Sequence, residues 1–143
     1  MITEALRPLA VELASLVPDA ANARTHSERN VEAIVASLRR FGQLKPIVAR
    51  QEDRVVVAGN GTLEAAKRLG WTELACVLAP LEKIDAVAFA IADNRTAELA
   101  EWDTDALTSL LESMGSDTEA LSSTGFSNDE IAALSAAWMP RES

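Results

Sequence analysis

Hydrophobic residues recur along this chain in two rhythms, and the change of rhythm marks out its elements. Over 27–42, "SERNVEAIVASLRRFG", the residues Val31, Ile34, Val35, Leu38 and Phe41 fall three or four positions apart. That spacing lines one face of a helix. Ser27, or Thr25 with Glu28, supplies its start and Gly42 its end. "PIVAR" (46–50) and "RVVVA" (54–58) are short β-branched runs around "QED", the pattern of a strand hairpin. "GNGTLEAAKRLGW" follows as a turn and a helix ended by Gly70, and "ELACVLA" (73–79) reads as another strand. "LAVELASLV" (9–17), closed by Pro18, also reads as a strand, and 18–27 as a loop.

After residue 80 the helical rhythm takes over. Residues 82–100 are alanine-rich, with Ile84, Val87, Ala88 and Ile91 on one face. Residues 103–115 repeat the pattern at Leu107, Leu110, Leu111 and Met114. A last helix starts at Ser127, where "SNDE" is a capping box in which Ser127 and Glu130 satisfy each other's backbone donors. Ile131, Leu134 and Trp138 form its apolar side, with Trp138 read as core rather than dimer face. Strands among helices, then helices alone, predict an α+β fold: a core over 1–100 and a helical extension over 101–143 packed on it as one domain.

Composition narrows the function classes. A chain of 143 residues with one cysteine, Cys76, and one histidine, His26, has no disulfide framework and too few ligands for a zinc site. No apolar run is long enough to span a bilayer, and the N-terminus lacks a basic start with an apolar core, so the expectation is a cytoplasmic protein without a membrane partner. The net charge of −9 is uneven. Residues 1–70 hold 10 basic and 8 acidic residues, whereas 71–143 hold 3 and 14. An anionic ligand therefore belongs on the N-terminal half, and broad non-specific DNA binding by the whole surface is disfavoured.

Four stretches carry candidate chemistry. Gly59 and Gly61 bend the chain from a strand into a helix, aiming free N–H groups at one point, with the Thr62 hydroxyl and the Asn60 amide beside them. The spacing matches neither common phosphate-loop pattern, and taken alone a tight turn accounts for it. "RRFGQLKPIV" gathers Arg39, Arg40 and Lys45 where a helix hands over to a strand, with the Gln43 amide placed to read a base edge or ribose; a solvated basic helix end is the plainer reading. "ADNR" sets Asp93, Asn94 and Arg95 inside an alanine-rich helix where Asp and Asn cost helix propensity. Asp93 and Asn94 suit Mg²⁺ shared with phosphates, and Arg95 a phosphate itself. In "NARTH", Arg24 suits an anion, while His26 reads as a surface residue.

The order of these stretches is more telling than any one of them. "NARTH", a helix ending "RRFGQLKPIVAR", then "VVVAGNGTLEAAKRLGW", "IADNR", "EWD" and "TGFSNDEI" resemble the ParB/sulfiredoxin-like superfamily over residues 8–138. The likeness is to ParB-like domains of phages and mobile elements and of some DNA methyltransferases. It implies a small mixed sheet with packed helices and a nucleotide site, which takes CTP with Mg²⁺ in ParB and ATP in sulfiredoxin. By this resemblance Gly59, Asn60, Gly61 and Thr62 are the phosphate cradle, and Gly42, Gln43 and Pro46 lie beside the nucleotide. Asp93, Asn94 and Arg95 stand where ParB holds Mg²⁺ and phosphate.

The departures qualify what is implied. Relatives carry G-H-G-R, G-E-R-R or G-C-H-R at the turn, and this chain has G-N-G-T. The phosphate-neutralising arginine is Thr62, and a charge-assisted bond is roughly twice as strong as a neutral one. Weaker nucleotide affinity is expected unless Arg24, Lys45 or Arg95 substitutes. The sulfiredoxin cysteine is absent, so sulfinic acid reduction does not carry over, and the acidic tail shows no basic recognition helix. The resulting expectation is a nucleotide-binding accessory in DNA transactions, with CTP or ATP and Mg²⁺ as ligands. DNA would be reached through Arg24, Arg39, Arg40 and Lys45 or through a partner protein, and a second copy of the chain is a further candidate partner. The alternatives are an enzyme (weak NTPase, phosphotransferase or nuclease) with Asp93 as base or metal ligand, and a non-catalytic interaction module with a degenerate site.

Overall fold

The computed structural model describes residues 1–21 and 26–137. Asn22, Arg24, Thr25 and Trp138, singled out above, lie outside the described residues. Four strands make one mixed sheet: β1 (Ala10–Glu12), β2 (Ile47–Arg50), β3 (Val56–Ala58) and β4 (Glu73–Ala79), in the order β1-β4-β2-β3. β4 runs parallel to β2, pairing Ile47 with Cys76, and antiparallel to β1, pairing Ala10 with Ala75. β2 and β3 form the expected hairpin, with a register shift at Val48/Ala49. The helices are α1 (Glu28–Phe41), α2 (Asn60–Arg68), α3 (Lys83–Leu99), α4 (Thr104–Ser113), α5 (Thr118–Ser123) and α6 (Asn128–Ala137). The fold is α+β, as the alternation of elements implies.

The core lies between the sheet and the α1–α2 layer. Val31 and Leu38 of α1 and Leu63, Ala65 and Ala66 of α2 pack with Ile47, Ala49, Val56, Leu74 and Cys76 of the strands. Burial pushes the Cys76 thiol above its ordinary range, which suits an unreactive core residue. α2 stops where Gly70, at φ 73°, lets the Trp71 N–H reach Ala66 O and the Gly70 N–H reach Lys67 O. Among the described residues no helix is long and apolar enough to cross a membrane.

Three readings change. The strand expected over 9–17 is only Ala10–Glu12, flanked by 3₁₀ turns at Glu4–Leu9 and Leu13–Ser15. Leu13 and Leu16 are both buried. In a strand an odd separation puts them on opposite faces, whereas a 3₁₀ turn puts i and i+3 on the same side. Second, α3 does not bury its large residues. Ile84, Val87 and Ile91 are 79%, 60% and 56% exposed, and the covered stripe is Ala86, Ala90 and Asn94, four residues apart. The small side chains let α3 sit close over β3. Third, the tail holds α5 between the two expected helices, capped by Asp117, whose carboxylate accepts from the Ala120 N–H at 2.9 Å. α5 packs on α1, where Arg40 pairs with Asp117 at 3.8 Å, and Arg29 pairs with Glu130 of α6.

Candidate functional site

β3 ends at Ala58 and α2 begins at Asn60, so one residue turns the chain. Gly59 does so at φ 105°, in the left-handed region. It also lies against β2: a Cβ there would fall 2.3 Å from Ile47 Cγ2. The first helical bond runs from the Leu63 N–H to Gly59 O at 2.9 Å, and no side chain caps the helix. The N–H groups of Asn60, Gly61 and Thr62 therefore have no acceptor within the helix, and they lie at the positive end of its dipole.

This helix end opens on a cavity of about 690 Å³, within the range of small-molecule sites. Phe41, Leu44, Lys45 and Pro46 form one wall, from the connection between α1 and β2. Gly59 and Thr62 line the cavity from the turn, and Phe89 and Asp93 from α3. Ser123, Thr124 and Gly125, at the end of α5, complete it. A smaller opening of about 100 Å³ shares Gly59, Thr62 and Asp93 with it and adds His26, Asn60, Gly61 and Asn94. The turn and "ADNR", more than 30 residues apart in sequence, thus meet at Thr62 and Asp93.

The individual side chains divide into those facing the cavity and those holding its shape. Gln43 borders it but is only 1% exposed. Its amide nitrogen donates to Lys45 O and Ala75 O at 3.0 and 2.9 Å, and its amide oxygen accepts from the Ala75 N–H at 2.7 Å. It ties the connection to β4. Asn60 donates to Val56 O at 3.0 Å and accepts from the Asp19 N–H at 3.1 Å, so its amide stitches the turn to the loop after β1. Asn94 donates back to Ala90 O at 3.0 Å, which leaves its amide oxygen for other use. Asp93 is exposed and lines both openings. An Asp93 carboxylate beside the Asn94 oxygen suits Mg²⁺, which takes one or two protein oxygens and completes its shell with water and phosphate. Among the described residues no group of three or more metal-binding side chains gathers.

Of the expected cations, Lys45 lines the larger cavity. Arg95 is exposed, pairs with Glu98 at 3.5 Å and does not border either opening. Arg39 and Arg40 face a separate groove against α5. His26 is the side chain at the turn that sequence reasoning passed over. Its signal, a histidine just before a helix, is indistinguishable locally from a surface residue.

The comparisons agree with this architecture. The ParB N-terminal domain family model matches residues 3–95. The chain is 27% identical over 92 residues to a nucleoid occlusion protein of Geobacillus thermodenitrificans, covering 62% of this chain and 33% of that protein. It is 35% identical over 68 residues to the ParB-like nuclease domain-containing protein YnaK of Escherichia coli, covering 48% of this chain and 77% of YnaK. It thus spans about a third of the nucleoid occlusion protein's length. Among solved structures, the C-terminally truncated chromosome-partitioning protein ParB of Caulobacter crescentus, complexed with CTP-γ-S, superposes with a TM-score of 0.74. That match covers 87% of this chain and 74% of the other at 19% identity, a likeness of fold. With the mixed sheet, the glycine turn and a family model spanning most of the chain in agreement, this protein belongs to the ParB N-terminal domain family.

Proposed function

We propose that the cavity over α2 holds a nucleoside triphosphate, CTP or ATP, and that the chain acts as a ParB-like accessory in DNA transactions. Partition-like or methyltransferase-associated systems of phages and mobile elements are its setting. The observation that carries the reading is the uncapped start of α2, with three N–H groups unpaired within the helix, opening at Thr62 on a cavity of about 690 Å³ and at Asn60 and Gly61 on the smaller opening that joins it. An anion is the ligand for which such an end is built. The CTP-γ-S complex of the Caulobacter crescentus protein, which shares the fold, supports the choice of ligand.

In this reading the N–H groups of Asn60, Gly61 and Thr62, with the Thr62 hydroxyl, hold the phosphates. Lys45 adds a cation from the opposite wall, while Gln43 and Pro46 shape that wall. Asp93 and Asn94 hold Mg²⁺, which would neutralise phosphate charge when bound. Direct DNA contact falls to Arg39, since Arg40 is shared with Asp117 and Lys45 borders the cavity. The acidic extension repels a phosphate backbone, so the reading also includes DNA reached through a partner protein.

Calorimetric titration of CTP, ATP and GTP with Mg²⁺ tests it. Binding of one nucleotide is expected with Kd on the order of 0.1 mM, about −5.5 kcal/mol, and Asp93→Ala should weaken it when Mg²⁺ is present. Absence of binding by all three at millimolar concentration would sink the nucleotide reading and leave an interaction module. Phosphate release or cleavage of added DNA, lost in Asp93→Ala, would move the assignment to an enzyme.

A further inference from the structure

The smaller opening contains a side chain that the reading above does not use. His26 stands directly before Ser27, the residue that caps α1, and its ring lies over the turn. A Cβ built on Gly61 would fall 2.9 Å from His26 Cε1 and Nδ1, and 2.8 Å from Ile34 Cδ1. Gly61 is not among the residues at positive φ, so its backbone suits any amino acid. The close approach of the imidazole and Ile34, rather than the bend, accounts for glycine there.

The ring has a fixed orientation. His26 Nδ1 lies 2.6 Å from Asn30 Oδ1. An amide oxygen only accepts, so Nδ1 carries a proton and Nε2 is the ring nitrogen left for a ligand. Around it, α1 presents Asn30 and Ile34, α2 presents the backbone of Gly61 and the Thr62 hydroxyl, and α3 presents Asp93 and Asn94. Asp93 is the one carboxylate lining this opening among the described residues, and Lys45 borders the larger cavity instead.

We propose that His26 is a phosphate-contacting residue, whose Nε2–H, in the imidazolium form, donates to the phosphate chain held on the N-terminus of α2. The inference rests on the nucleotide reading. It explains how a turn with threonine in place of arginine keeps a charged donor at the phosphates: the cation comes from the segment before α1 and packs into the space that Gly61 leaves. Asn30 already holds the other N–H of the ring.

The experiment compares CTP, CMP and inorganic tripolyphosphate by calorimetry in EDTA, so that metal plays no part. The proteins are the wild type, His26→Ala, His26→Asn and His26→Lys. His26 is exposed, so all variants are expected to melt with the wild type in the absence of ligand. The ratio of CTP to CMP affinity should fall roughly tenfold in His26→Ala and His26→Asn, the size of one charge-assisted hydrogen bond. Tripolyphosphate should weaken in parallel, and His26→Lys should recover most of the ratio. A ratio unchanged in His26→Ala and His26→Asn, in proteins that melt normally, overturns the role of His26 while leaving the nucleotide site standing. Failure of the wild type to bind CTP or tripolyphosphate at all overturns both.

Discussion

Two helix starts in this chain solve the same electrostatic problem in opposite ways. At α6 the Ser127 N–H donates to the Glu130 carboxylate at 2.9 Å, and the Glu130 N–H donates to Ser127 Oγ at 3.1 Å, so the helix end is closed by its own side chains. α1, α4 and α5 are closed similarly, by Ser27, Asp103 and Asp117. At α2 the residue in the capping position is Gly59, which has no side chain, and the nearest amide, Asn60, is turned toward Val56 and Asp19. A closed end gains stability locally. An end left open forgoes roughly 1 kcal/mol of capping and keeps its donors for something else. α3 also starts without a side-chain cap, but the open end of α2 is the one that faces the larger cavity.

Breaking that contrast should give effects of decreasing size. Gly59→Ala combines a left-handed φ of 105° with a Cβ 2.3 Å from Ile47 Cγ2. Strain and overpacking together should cost about 3 kcal/mol or more, read as a lower urea midpoint at unchanged slope; a midpoint equal to the wild type would show that the turn tolerates a side chain. Thr62→Arg restores a cation to the open end and should tighten CTP or ATP about tenfold, ~1.4 kcal/mol, without a matching rise in melting temperature of the free protein. An affinity left unchanged would mean that phosphate does not lie over Thr62.

Ser127→Ala opens the closed end. It should cost about 1 kcal/mol in denaturant unfolding and leave nucleotide affinity alone. Bonds from Ser127, then Arg29, hold the Glu130 carboxyl below its ordinary value. A carboxyl lowered in the folded state contributes stability above its unfolded value, and that contribution is lost as pH falls through the folded one. The variant keeps the Ser127 N–H, the main cause, and loses only the hydroxyl, so it should lose slightly less stability than the wild type on acidification below pH 4.5; parallel acid curves would assign the effect to the backbone N–H and Arg29.

Much of the fold was legible because it depends on short-range pattern. The apolar spacing of α1, the β-branched runs of β2 and β3 and the Ser127–Glu130 box involve residues at most a few positions apart. α3 misled for a physical reason. Its large residues share a face, but the helix approaches β3 through Ala86, Ala90 and Asn94, and only small side chains permit that approach. Leu13 and Leu16 misled because apolar density alone does not separate a strand from a 3₁₀ turn.

At the site, the glycine turn and "ADNR" could be singled out, and the fold brings Thr62 beside Asp93 and Asn94. The amides of Gln43 and Asn60 looked like ligand readers in sequence, yet their partners Ala75 and Asp19 lie 32 and 41 residues away. His26 was passed over for the same reason: its meaning depends on Gly61 and Asn30 closing around it. By itself the sequence determined the ends of α1 and the start of α6, the place of the glycine turn and the alternation of strands and helices, because caps and turn residues are settled by neighbours within one helical turn. Only the tertiary structure decided which polar side chains are tied to the backbone and which face the cavity, because hydrogen-bond partners distant along the chain become neighbours only when the sheet and helices pack.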